Sequence, residues 1–127
     1  MNRKKQQIKV ELFNKLVKEC AFWSYDPKSV TLENITDEML IYKVLVHLDI
    51  DEINQLFLIF DEGKIKSVWE EQLCIQDPYY HGLNVMIGGI YFNVKNPNKY
   101  IQNIQKRHFE QLEKQGEEMF KGIVFDD

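Results

Sequence analysis

At 127 residues, with 44% hydrophobic and 13% aromatic side chains, the chain has enough apolar material for a packed core and too much for an intrinsically disordered segment. Its net charge of −4 is unevenly placed: residues 1–20 carry six basic and two acidic groups, residues 21–63 two basic and nine acidic, and the rest eight basic and nine acidic. Arg3 and Arg107 are the only arginines, and this argues against nucleic acid as the main ligand, because phosphate clamping and guanine readout favour arginine.

Apolar residues at Ile8, Leu12, Phe13, Leu16, Val17 and Cys20 follow one helical stripe, with lysines opposite, and predict a first amphipathic helix from residue 4 to about 22. Asp26 before Pro27 ends it, since a residue preceding proline is pushed away from helical angles. Between them lies the cluster Phe22, Trp23 and Tyr25. Aromatics at a helix end most often seal a core edge, and alternatively form an exposed anchor of a binding surface.

Thr36 reads as the N-cap of a second helix. Asp37 and Glu38 fall in its first turn, and Ile35 and Leu40 sit as a hydrophobic staple. A third helix starts at once from Asp49, with Glu52 completing a capping box and Leu48 stapling to Ile53. Gly63 is expected in the left-handed conformation that closes this helix, and a fourth runs through Ile65, Val68, Trp69 and Leu73 to about residue 75.

Asp77 and Pro78 read as cap and first turn of a fifth element, YYHGLNVMIGGIYFNV, apolar on nearly all sides and expected to be the central, most buried helix. Its Val, Ile, Tyr and Phe content would also suit a strand. Gly88 and Gly89 in that segment imply a closely packed neighbouring backbone. Asn96 and Pro97 launch a sixth helix through Tyr100, Ile101, Ile104, His108 and Leu112, which Gly116 would end or weaken. The tail from 116 to 127 holds Met119, Phe120, Ile123, Val124 and Phe125, and is expected to dock on the domain or on a partner.

The pattern as a whole describes an all-α protein: one domain over residues 1–127, with its core at about 4–115, built as a bundle of about six short helices. No apolar run approaches the roughly twenty residues of a membrane helix. The start MNRKKQQIKV lacks the apolar stretch of an export signal, and Cys20 and Cys74 fall on apolar helix faces. A cytoplasmic protein with two buried thiols is expected.

Catalytic signatures are sparse. His47, His81 and His108 lack the spacing of a helical metal pair, no serine sits in a glycine elbow, and neither cysteine has a histidine near it in sequence. No glycine loop is placed to cradle phosphate, and no histidine follows either arginine at the spacing of small helical ribonucleases. No metal or cofactor is expected. The one polar and aromatic mixture is DPYYHGLN, with Asp77, Tyr79, Tyr80, His81 and Asn84 at a helix start. Two readings stay open there: local hydrogen bonding at the start of a helix, or the centre of a small hydrolase or nuclease.

The ordered set FWSYD, DEMLIYKVLVHLDIDEINQLFLIF, IKSVWEEQL, YYHGLN and YFNVKNPNKYI, spanning about residues 20–101, resembles a family of small bacterial proteins encoded beside nucleotidyltransferase-type toxins of abortive-infection systems. The resemblance implies an all-helical, non-catalytic component, an antitoxin or accessory partner, and brings no catalytic residues with it. The expected function is therefore protein interaction, with a basic partner held by Phe22, Trp23, Tyr25, Asp26, Asp51 and Glu52 on the aromatic corner and acidic segment. A homo-oligomer stays open. The second class is a DNA-binding regulator using Arg3, Lys4, Lys5, Lys9, Lys15 and Lys18 of the first helix.

Overall fold

The computed structural model describes residues 3–19, 21 and 30–120. Among these, every regular element is helical: α1 (Arg3–Lys18), α2 (Asp37–His47), α3 (Ile50–Ile59), α4 (Glu62–Val68), a π-helical segment (Trp69–Leu73), a 3₁₀ turn (Cys74–Gln76), α5 (His81–Tyr91) and α6 (Pro97–Phe120). The protein is all-α. The chain divides into two compact units, Met1–Gln72 and Leu73–Asp127, with the boundary inside the π-helical segment.

In the first unit, α1 packs on α2 and α3, and α4 packs on both of the latter. Leu12 and Leu16 of α1, Leu40, Ile41, Val44 and Leu45 of α2, Ile53 and Leu56 of α3, and Ile65, Val68 and Trp69 are buried. Burying a leucine- or isoleucine-sized side chain contributes about 1.5–3 kcal/mol, so this layer outweighs every surface ion pair in the unit. Val17, expected on the α1 stripe, is instead 53% exposed. It neighbours the buried Leu16, but one residue of helix turns it about 100° out of the seam. The expected continuation of this helix through Cys20 to about 22 lies largely outside the described residues.

Local capping explains the tight corners. Thr36 Oγ1 accepts the Met39 N–H at 3.1 Å, and Ile35 and Leu40 are both buried across that cap. Asp37, in the first turn of α2, accepts from Lys64 Nζ at 2.9 Å and lies 3.9 Å from Lys9 Nζ, tying α4 and α1 to the start of α2. The Asp37 hydrogen bond holds the Lys64 ammonium above its ordinary range. Lys15 Nζ meets Glu52 Oε1 at 3.2 Å between α1 and α3. Burial pushes the Glu52 carboxyl up. Hydrogen bonds from the backbone amides of Glu52 and Asp49, together with Lys15, outweigh that and hold it below the usual range. Only the Glu52 half of the expected capping box operates here, because the Asp49 side chain makes no cap hydrogen bond.

Gly63 does not close α3. The extended backbone of Phe60 and Asp61 does, and Gly63 lies within α4, where Asp61 O accepts from Lys64 N and Ile65 N. No described glycine has positive φ.

In the second unit, α6 packs against the 3₁₀ turn and α5. The segment that could have been a strand is helix α5 through Tyr91, and it closes where Asn93 takes a left-handed φ of 52° and Val94 N–H donates to Gly88 O at 2.9 Å. It is not buried all round: Asn84, Ile87 and Gly88 are buried, whereas Ile90 is 59% exposed and Gly89 has open space where a side chain would stand. The apolar character around α5 therefore exceeds what its neighbours cover. Asn96 and Pro97 start α6 as expected, Asn96 Oδ1 accepting from Lys99 N at 3.3 Å. Gly116 neither ends nor interrupts α6, whose helix continues to Phe120. A single glycine costs a helix only about 1 kcal/mol, less than a long helix tolerates. The side chains of 118–120 and the tail from 121, where docking was expected, lie outside the described residues.

Candidate functional site

The chain changes pitch between Trp69 and Gln76, from α to π to 3₁₀, and Asp77 leaves it at φ −63° and ψ 140°, its N–H donating to Cys74 O at 3.2 Å. Asp77 thus ends one helix and does not cap the next. Residues 77–80 form a turn held by Tyr79 N to Gln76 O at 2.9 Å and His81 N to Pro78 O at 3.1 Å, so α5 begins at His81. The turn folds the Asp77 carboxylate back to the first turn of α5, where it meets His81 and Asn84.

Three expected site residues meet there. His81 Nδ1 lies 3.0 Å and 3.2 Å from the two carboxylate oxygens of Asp77. Asn84, wholly buried, donates from Nδ2 to Leu73 O at 3.1 Å and to Asp77 Oδ1 at 3.3 Å. Gln105 of α6 donates to the Asp77 carbonyl at 2.8 Å, a contact with no sequence signal because the two residues are 28 apart. A carboxylate acceptor keeps the Nδ1 proton in place, which leaves Nε2 of the neutral imidazole as an acceptor. The Asp77 side chain is 14% exposed and that of His81 45%, so the pair is anchored inside and reaches solvent at the imidazole.

The arrangement can hold and move a proton. Cys74, on the preceding turn, is outside any disulfide and has no exposed surface. Tyr79 is 82% exposed and meets Tyr80 edge to face at 4.7 Å, so it belongs to the surface beside the cluster. Among the described residues no group of three or more His, Cys, Asp or Glu is placed to hold a metal ion. No described helix is long and apolar enough to cross a membrane.

Of the residues expected to hold a partner, Phe22, Trp23, Tyr25 and Asp26 lie outside the described residues. Asp51 is exposed in the first turn of α3, whereas Glu52 is half-buried and bonded to Lys15. On the basic helix, Lys9 and Lys15 both face carboxylates of the same unit, while Arg3, Lys4, Lys5 and Lys18 are exposed.

A surface feature that the spacing did not reveal lies on α6. Its stripe is buried at Ile101 and Ile104, but Phe109 and Leu112 are 57% and 48% exposed. The reason is length. With about 1.5 Å of rise per residue, the 24-residue α6 extends about 36 Å, and the 11-residue α5 covers at most about 17 Å of it. Leu112, expected in the core, continues a core stripe past its cover. Unequal helix lengths in the sequence were the available signal.

No protein-family model matches the chain, and neither does any of the curated proteins or solved structures compared with it. The fold and the two features just described define an all-α protein with an anchored carboxylate–imidazole pair and an outrunning amphipathic helix.

Proposed function

We propose that this chain is a protein-interaction module, of the antitoxin or accessory kind that the resemblance to proteins encoded beside nucleotidyltransferase-type toxins implies. The observation that carries the reading is the outer half of α6, where Leu112 extends a buried stripe into solvent and Phe109 stands exposed beside it. Scattered exposed apolar residues need no explanation, but two on adjacent turns of one helix, Leu112 in line with buried Ile101 and Phe109 beside it, form the kind of face that a partner covers.

Co-expression with the genetically adjacent protein tests this. That protein is expected to copurify, its toxicity to be relieved, and Phe109→Asp with Leu112→Asp to weaken its capture by at least about tenfold, since each buried apolar anchor is worth about 1.5–3 kcal/mol. If nothing copurifies and no toxicity is relieved, the reading fails.

A second reading, a small hydrolase or nuclease centred on His81, has the Asp77 contact in its favour. It ranks second because Tyr79, another of its candidate residues, stands 82% exposed on the surface beside the cluster. DNA binding through α1 is weaker still, because Lys9 and Lys15 are drawn to Asp37 and Glu52.

A further inference from the structure

We infer that His81 is a phosphoryl-accepting residue, its Nε2 taking the group from a donor that holds phosphorus on nitrogen, a phosphoramidate. This goes beyond the interaction reading and does not depend on the α6 face.

The His81 ring is tied at one edge. Nδ1 lies 3.0 Å and 3.2 Å from the two Asp77 oxygens, and among the described residues no other hydrogen bond or ion pair engages the ring. With the Nδ1 proton held on the carboxylate, the lone pair of the neutral imidazole sits on Nε2. The tie is itself fixed from behind. Asp77 Oδ1 accepts from wholly buried Asn84 at 3.3 Å, the Asp77 carbonyl accepts from Gln105 at 2.8 Å, and the Asp77 side chain is only 14% exposed. The other edge of the ring is presented outward. His81 is 45% exposed, with exposed Pro78 and Tyr79 before it and, after it, exposed Gly82, which has open space where a side chain would stand. A donor can reach Nε2 without entering a cleft.

This placement suits a nucleophile better than a general base. A base acts on a substrate that the protein must also hold beside it, whereas a phosphoryl group arrives already held by its donor. It is also a group that an exposed imidazole keeps, because the charged phosphoryl oxygens repel hydroxide, while an acyl imidazole hydrolyses quickly in open water. In the step itself, the Nε2 lone pair attacks phosphorus and the Nε2–P bond forms as the donor's P–N bond breaks. The electron pair of that bond leaves with the donor nitrogen, already protonated, as a neutral amine or ammonia. His81 retains its Nδ1 proton, so the ring becomes a positively charged phosphoimidazolium. Asp77, on the edge of the ring away from the new bond, faces that charge as it develops. Asp77 is thus a positioning residue for His81. His47 is exposed on α2 and His108 half-buried 5.8 Å from the Phe109 ring, and among the described residues neither forms an ion pair with a carboxylate.

Incubation of the full chain with potassium phosphoramidate at about pH 8, where an ordinary imidazole is neutral, tests this. Mass spectrometry reads the site and phosphorus nuclear magnetic resonance the ring position. His81 is expected to be phosphorylated on Nε2 at least about tenfold faster than His47 or His108. Asp77→Asn, which keeps an acceptor and removes the charge, should slow His81 to the pace of the other two and leave theirs unchanged. Asp77→Ala, with its helical circular dichroism intact, should release Nδ1 and give a mixture of the two ring isomers at His81, a change of product that looser packing alone does not produce. Wild-type His81 reacting no faster than the other histidines, or reacting on Nδ1, overturns the inference, as does a folded Asp77→Asn chain with an unchanged His81 rate. Should both Asp77 variants unfold, the wild-type comparison of the three histidines decides alone.

Discussion

Replacing Asn84 by alanine is expected to destabilise the protein by about 2–4.5 kcal/mol, although the side chain has no exposed surface and no apparent chemistry of its own. The magnitude follows from the groups its amide serves. Leu73 O loses a donor at 3.1 Å in a buried position, a loss of about 1–3 kcal/mol. Asp77 Oδ1 loses a longer contact, 3.3 Å, and retains His81, so this second loss is smaller, about 0.5 kcal/mol. The vacated amide volume adds a cavity term of about 0.5–1 kcal/mol. Urea unfolding followed by circular dichroism is the assay: the midpoint should fall with the slope unchanged, since the surface exposed on unfolding is nearly the same. Asn84→Asp should be worse than alanine at neutral pH, because it removes the same donors and sets a second carboxylate against Asp77, and it should recover in acid. A loss below about 0.5 kcal/mol for the alanine variant would refute the view that this amide joins the end of the π-helical segment to the Asp77–His81 pair.

Two further outcomes follow from other positions in the fold. Partial burial and then Lys43, one helical turn away, hold the His47 pKa below its ordinary value of 6.5, with Glu19 opposing them. Above pH 6.5 the imidazole is neutral in both folded and unfolded chains. As pH falls below that value the unfolded chain takes the proton first, so stability declines until the folded pKa is passed. Nuclear magnetic resonance titration should place the His47 midpoint below 6.5 and show it rising in Lys43→Gln, and a midpoint at or above 6.5 in the wild type contradicts the argument. Gly89→Ala should stabilise the chain by about 0.5–1 kcal/mol, because the position is helical and exposed, with nothing within 4 Å of the added methyl. A lower melting temperature in that variant would place an unseen neighbour at Gly89.

The anchored imidazole and the outrunning helix differ in what they ask of the rest of the chain. Asp77 and His81 are four residues apart, and their contact is a local consequence of a turn followed by a helix. The contribution of Gln105 depends on the packing of α6 against the 3₁₀ turn, and so does the exposure of Leu112.

Local chemistry written in the sequence determined the all-α class, the Thr36 cap with its Ile35 and Leu40 staple, the start of α6 at Asn96 and Pro97, and the grouping of Asp77, His81 and Asn84. Each depends on side chains a few residues apart, where capping and period 3.6 act without help from the remainder of the chain. Tertiary structure alone decided that Phe60 and Asp61 make the corner expected of Gly63, that Val17 and Ile90 face outward, that α6 runs through Gly116, and that the chain parts into two units at Gln72 and Leu73. The physical reason is that an apolar stripe states which face of a helix seeks cover, whereas the length and placement of the neighbouring helices set how much of that face receives it.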